Sequence, residues 1–336
     1  MVATGTLRAR AALMTRRVAA VDCGTNSLRL LVADVDLGRA ELTDVARRME
    51  IVRLGQGVDQ SGRLAPEALD RTIGVLRDYA DVIAASSARA VRMVATSATR
   101  DASNAAEFTR RVKEVLGIAP EVLTGGQEAM LSFTGATAEL AAARDTGPFL
   151  VVDIGGGSTE FMLGEVAAPS AGPQAAHAGH SISVNIGCVR MTERHLHGDP
   201  PDRGQVADAI ADIDAALDVV SYAVPARQAK TLIGLAGSVT TVAGIAMGLP
   251  AYDPARIHHS RVSAAGVHEV ARRLLAQTRA ERAAIGVMHP GRVDVIGGGA
   301  LILDRIMERF GCGEVLVSEH DILDGIAWSL ATDARR

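Results

Sequence analysis

The sequence predicts an α/β protein of two domains with mixed sheets. Three observations carry that expectation. The chain has 336 residues, a length that favours two domains. Apolar runs of strand type alternate with amphipathic stretches of helical type along most of it. One pattern also occurs twice, far apart: an apolar strand, an aspartate, a turn of glycine and hydroxyl or amide residues, and a second apolar strand. The copies are Val18–Val32 and Phe149–Leu163. With Asp22 set on Asp153, Gly24 falls on Gly155 and Ser27 on Ser158. A repeat so widely spaced points to duplicated halves rather than a short-period solenoid.

Each copy reads as a β-hairpin whose turn cradles phosphate. Glycine lets backbone N–H groups approach an oxyanion with no Cβ in the way. Ser158 and Thr159 add hydroxyl donors, and Asp153 is placed to hold a metal ion or its water shell. A tight hairpin with a capping aspartate is the plain structural alternative. Cys23 has Ile154 as its counterpart, so it reads as a packing residue rather than a nucleophile.

Taken in order, residues 1–17 are Arg- and Ala-rich without a signal-like apolar core, and read as a disordered extension. Ala40–Leu54 reads as one or two strands, and Pro66 opens a helix to about Ala84. Val91–Ala95 is a short strand. The following Thr96–Asp101 fits either a ligand-binding strand end or a helix N-cap before a helix over Asn104–Leu116. After a strand at Glu121–Leu123, Thr124 and Gln127 have capping-box spacing and open a helix to about Ala143. Glu128 lies in its first turn. It is either a surface acid favoured by the helix dipole or a general base kept ionised by it.

The second copy comes next, then an Ala-, Pro- and Gly-rich loop at Ala167–Gly179 and a strand at Ser181–Ile186. Arg190, on the helix beyond Gly187, points at phosphate or pairs with Glu193. A long helix runs from Pro200–Pro201 to about Tyr222. Thr231–Leu235 is a strand ending in a third glycine–hydroxyl turn at Ala236–Thr241, with Gly237 and Ser238 as anion-binding candidates. Helices fill 263–286. A fourth glycine turn at Val293–Ala300 precedes a helix to Phe310, and the chain closes with a strand at Val315–Val317 and a helix near Ile322–Leu330.

Composition narrows the function. Aromatic residues are 3% of the chain, too few for base-stacking platforms, and the net charge of −4 gives no global field for polyanions. Nucleic-acid binding is therefore not expected, and any anion must be held locally. The three cysteines lack Cys-x-x-Cys spacing, which fits a reducing cytoplasm. No run of 18 apolar residues suggests a membrane span. No nucleophile elbow, Walker lysine loop or zinc spacing is seen.

Seven stretches resemble one known family. They are Ala19–Ser27, Ala95–Asp101, Thr124–Ala129, Val152–Glu160, Ile186–Glu193, Gly234–Ser238 and Ile296–Ala300. The chain resembles the exopolyphosphatase and guanosine-pentaphosphate phosphohydrolase family, within the superfamily of sugar kinases, heat-shock ATPases and actin. The resemblance implies two actin-like (ribonuclease H-like) domains of mixed sheets flanked by helices, over 18–133 and 134–336, with a phosphate-binding cleft between them. The last helix would be free to pack back on the first domain.

In that reading Glu128 looks like the catalytic base and Asp153, with Asp22, like the carboxylates for Mg²⁺, or Mn²⁺ in its place. Arg100 looks like a ligand of the terminal phosphate. Gly24, Thr25, Asn26, Ser27, Gly155, Gly156, Gly157, Ser158, Gly237 and Ser238 look like the phosphate cradle. Longer members carry a further helical region with no counterpart here, so a short two-domain form is expected. The implied activity is exopolyphosphatase. Guanosine-pentaphosphate hydrolysis is the first alternative, and an ATP-hydrolysing relative or a non-catalytic polyphosphate binder are more remote ones. The family also implies a homodimer.

Overall fold

The structure, a computed structural model, describes residues 15–138, 140, 147–166 and 177–333. Residues 1–14 of the expected extension, 167–176 of the expected loop and the far end of the helix expected to reach Ala143 lie outside the described residues. The first lobe begins with a meander of β1 (Thr15–Cys23), β2 (Ser27–Asp36) and β3 (Glu41–Ile51). Thr15–Arg17, expected in the extension, already belong to β1. Helices α1 (Val58–Ser61) and α2 (Pro66–Ser86) lead to β4 (Ala90–Ala95), which pairs parallel to β1. Then come α3 (Ser97–Asp101), α4 (Ala105–Leu116), β5 (Glu121–Val122) and α5 (Gly125–Thr137). The sheet order is β3-β2-β1-β4-β5.

The second lobe repeats this plan. The meander is β6 (Phe149–Ile154), β7 (Thr159–Glu165) and β8 (His177–Val184), so His177–Gly179 are strand rather than loop. Helices α6 (Cys188–Arg194) and α7 (Arg203–Ala223) precede β9 (Thr231–Leu235), parallel to β6. After α8 (Ala236–Ala246), α9 (Pro254–Ile257), β10 (Arg261–Ser263), α10 (Ala264–Ala276), α11 (Arg279–Ala283) and α12 (Ile296–Phe310), β11 (Glu314–Val317) joins parallel to β9. The order β10-β11-β9-β6-β7-β8 contains the first lobe's order in duplicate, with β10 added at one edge. Two mixed sheets with the same winding are the actin-like architecture expected from the resemblance.

Neither the third nor the fourth glycine stretch is a turn: Ala236–Thr241 already belong to α8. Gly297, Gly298 and Gly299 lie in the first turn of α12. A Cβ on Gly299 would fall 2.2 Å from Ser238 Oγ, so the residue is small because α8 lies against it.

Two helices cross between the lobes. α5 presents Ala129, Phe133 and Ala136 to Phe149, Val151 and Ile233 of the second sheet. The last helix, α13 (Ile322–Asp333), presents Ile326, Ala327 and Trp328 to Val18, Ala20 and Leu31 of the first. They touch through glycine. A Cβ on Gly135 would lie 1.8 Å from Asp321 O, and one on Gly325 would lie 2.0 Å from Leu131 O. This close crossing brings Glu128, near the start of α5, and Asp321, just before α13, to the same interlobe space.

Candidate active site

Both hairpin turns open into one cleft between the lobes. Asp22, Glu128 and Asp153 line it together, with Gly24, Thr25, Asn26 and Ser27 from the first turn and Gly155, Gly156 and Ser158 from the second. Gly237 and Ser238, at the start of α8, complete one wall. Gly157 and Arg100 do not line this space. Gly157 packs behind the turn against Thr25 and Ser97. Arg100 donates to Leu123 O at 2.8 Å and faces Glu128 Oε2 at 3.2 Å. It touches the acid that lines the cleft.

Local chemistry places each group. Asp22 and Asp153 end β1 and β6 on the same side of equivalent strands. Thr124 and Gln127 form the expected capping box, which starts α5 one turn before the cleft. Thr96 makes no side-chain cap to α3 but lines the cleft with Ser97, so of the two readings of that segment the strand-end one describes its position.

The turns aim their amides inward. In a planar trans peptide the C=O and the next N–H point in opposite directions. In the second turn Gly155 O accepts from Cys188 N at 3.0 Å, and Gly156 O from Val189 N at 2.9 Å and Arg190 N at 3.1 Å. The N–H groups of Gly156 and Gly157 therefore face away from α6. In the first turn Thr25 O accepts from Gly55 N at 2.8 Å and Asn26 O from Arg53 N at 2.8 Å, which turns the Asn26 and Ser27 N–H groups the other way. Such concave runs of N–H groups bind anions.

The acids are buried and crowded. Glu128 is 7% exposed, and its pKa is raised well above the usual range by burial and then by the charge of Glu160, with Arg100 opposing. This overturns the expectation that the helix dipole governs it: loss of solvent and a neighbouring acid outweigh one turn of dipole. Burial and then Asp321 push Asp153 up to about 6, although Ser132 Oγ donates to it at 2.7 Å. Burial and then Asp153 push Glu160 up to about 7. Asp22 is also raised by burial, against the pull of Arg29.

A half-buried cation not anticipated from sequence organises this cluster. Arg29 bonds Asp22 Oδ2 through Nε at 3.0 Å and Nη2 at 2.7 Å, and pairs with Asp321 through Nη1. It lies opposite Asp22 in the hairpin register, and a charged residue inside the apolar β2 was the available signal. Arg292 also lines the cleft and bonds only weakly, to Gly237 O at 3.3 Å and Thr241 Oγ1 at 3.4 Å. Neither Arg292 nor Asp321 had a local signal. Arg190 fulfils neither reading: it bonds Gly157 O, Asp59 and Asp101 instead of pairing with Glu193 or reaching the cleft.

Among the described residues no three His, Cys, Asp or Glu side chains converge into a ready-made metal cage. A hydrated cation still fits. Asp22 Oδ1 and Asn26 Oδ1 are buried without a hydrogen-bond partner, and both residues line the cleft. Mg²⁺ keeps several waters and needs only one or two carboxylates beside substrate phosphates.

Comparison with known proteins gives the chain's relatives. The chain is 51% identical over 326 residues to a protein of Mycobacterium tuberculosis named exopolyphosphatase 2, covering 94% of this chain and 98% of the relative. It is 26% identical over 312 residues to a guanosine-5'-triphosphate,3'-diphosphate pyrophosphatase of Pseudoalteromonas atlantica, of which it spans 58%. A crystal structure described as an exopolyphosphatase-like protein superposes with a TM-score of 0.90 at 41% identity, covering 96% of this chain and all of that one. The Aquifex aeolicus PPX-GPPA enzyme superposes with a TM-score of 0.75 at 30% identity, over 94% of this chain and 99% of that one. The sequence profile of the Ppx/GppA phosphatase family matches residues 31–333, and the chain belongs to that family.

Proposed function

We propose that this enzyme hydrolyses the terminal phosphoanhydride of inorganic polyphosphate and releases orthophosphate. One observation carries the reading: two equivalent glycine turns, packed against each other at Thr25 and Gly156, line one cleft together with a buried glutamate. Phosphoryl transfer needs in-line positioning and neutralisation of the oxygens on the transferred group. The turn amides and Arg292 would supply that. Glu128, with its raised pKa, would accept a proton from the attacking water, and a pKa nearer neutrality makes a stronger base. The water oxygen bonds to phosphorus, the bridging P–O bond breaks, and the shortened chain leaves with its electrons. Arg100 would orient Glu128 from behind.

Asp22 and Asp153 would hold Mg²⁺ through its water shell. When bound, that ion would screen the charge of the bridging region. Cys23 and Cys188 are buried thiols and Cys312 a half-buried one, none in a disulfide, which supports a reducing cytoplasm as the working compartment. Among the described residues no helix is long and apolar enough to cross a membrane.

A second substrate, guanosine pentaphosphate, is favoured by one feature. A compartment of about 440 Å³ adjoins the cleft and shares Arg29 and Arg292 with it, and Met49, Tyr252 and Met288 also line it. Phosphate release with Mg²⁺ from short polyphosphate, long polyphosphate, guanosine pentaphosphate and ATP separates the readings. Fastest turnover is expected on polyphosphate. Release from ATP alone would replace this assignment with an ATPase, and binding without release would replace it with a sensor.

A further inference from the structure

We propose that Arg190 is a positioning residue that holds the second glycine turn in its anion-binding form and ties it to the element that carries the partner of Glu128. The inference rests on the phosphate-binding reading of the cleft. Arg190 is buried on α6, and its guanidinium uses all three nitrogens. Nε donates to Gly157 O at 2.6 Å, Nη2 to Asp101 Oδ2 at 2.6 Å, and Nη1 pairs with Asp59. Of the three glycine carbonyls of the turn, Gly157 O is the one that the N–H groups of α6 leave free, since Cys188, Val189 and Arg190 N serve Gly155 and Gly156.

Fixing Gly157 O fixes the next amide. Its peptide plane turns the Ser158 N–H away from Arg190, and Ser158 lines the cleft. Without the guanidinium, that carbonyl loses the side-chain donor that holds it, and rotation of the peptide would carry the Ser158 N–H out of the cradle.

The other end of the fork reaches the first lobe. Asp101 follows Arg100 on α3, a helix of five residues, and Arg100 faces Glu128. Ser97 of the same helix bonds Thr25 Oγ1 at 2.9 Å. One short helix thus touches the first turn, the second turn through Arg190, and the proposed base through Arg100. Asp59 is held again by Arg194, through Nε at 2.6 Å and Nη2 at 2.8 Å, so the acid that anchors Arg190 is itself fixed. A planar fork with three acceptors in different directions is a task for Arg and not for Lys.

The test measures binding separately from turnover. Tripolyphosphate with Mg²⁺ is titrated by calorimetry onto Glu128→Gln, whose expected slow turnover lets binding be read first, and onto the same protein carrying Arg190→Ala, Arg190→Lys or Asp101→Ala. Arg190→Ala is expected to weaken binding by roughly 10–100-fold, the loss of one charge-assisted hydrogen bond and the order it imposes. Arg190→Lys should not restore it, whereas added free guanidinium should restore part. Asp101→Ala should act in the same direction, less strongly, and not additively with Arg190→Ala. In turnover, Arg190→Ala alone should raise KM, while Glu128→Gln lowers kcat.

If Arg190→Ala melts earlier but binds tripolyphosphate as tightly as its parent, Arg190 is only a strut between lobes and the proposal is overturned. Should Arg190→Ala fail to fold, Arg190→Lys and Asp101→Ala decide by the same readout. Absence of tripolyphosphate binding in the parent would overturn the functional reading itself, whereas equal binding in parent and variants overturns the clamp alone.

Discussion

The two turns occupy equivalent places in duplicated lobes, yet they are built with opposite electrostatics. In the first, Asp22 faces Arg29 across the hairpin; in the second, Asp153 faces Glu160 at the same register. One lobe neutralises its aspartate and the other stacks a second acid beside it. They also differ sterically. At the equivalent Gly24 and Gly155 a Cβ would meet only its own turn, Ser27 O at 3.5 Å and Ser158 O at 3.0 Å, whereas one on Gly156, the counterpart of Thr25, would lie 2.9 Å from Thr25 Cβ and 3.2 Å from Asn26 N. The first turn carries Thr25 and Asn26 where the second carries Gly156 and Gly157, because the second lies against the first. The lesson is a division of labour: the first lobe supplies a neutralised, self-supported wall, and the second a crowded acidic face that calls for a cation.

The largest expected effect asks whether the turns suffice without the acid between them. Glu128→Gln should lower phosphate release by about 10²–10⁴-fold with little change in substrate binding. Near-wild-type turnover would remove Glu128 from the chemistry. The steric asymmetry comes next. Gly156→Ala should cost about 10²-fold in kcat/KM by pushing the turns apart, while Gly24→Ala should cost far less. Equal losses in steady-state kinetics would contradict the difference in packing.

The charge asymmetry is tested by removing one charge from each lobe. Arg29→Met leaves Asp22 and Asp321 buried without their cation and should destabilise the fold by about 3–5 kcal/mol in denaturant titration. Glu160→Gln removes the charge that, after burial, does most to raise Glu128. The acid limb of the pH–rate profile should therefore move to lower pH, and an unmoved limb would uncouple the two acids.

The smallest effect concerns stability. Asp153 at about 6 and Glu160 at about 7 bind protons more tightly folded than unfolded. Their contribution to stability is present at low pH and is lost as pH rises from the ordinary carboxylate range through about 7. Mg²⁺ should raise the melting temperature more at pH 8 than at pH 5. An equal rise at both would place the ion elsewhere.

Much of the fold was legible because its signals are local. β6 is buried along its whole length and reads as an apolar run interrupted only by Asp153, and the capping box of α5 needs only Thr124 and Gln127. Part of the site was legible for the same reason: the repeat placed Asp22, Asp153 and both turns. Arg190 could not be read, because its acids lie 131 and 89 residues away and its own neighbour Glu193 was the plausible partner. Glu193 instead accepts from Gly57 N at 3.2 Å. The glycines of α12 were mistaken for a turn because a sequence shows a small residue but not the helix that needs the space.

The sequence by itself determined two strand–turn–strand units, their order, and the helices between them, since hydrophobic period and turn chemistry act over a few residues. Tertiary structure alone decided which charge meets which acid. That choice depends on how closely α5 and α13 cross at Gly135 and Gly325, and on the burial that follows. Burial raises the acids at the cleft, and a charge removed from water must take whatever partner the crossing brings near.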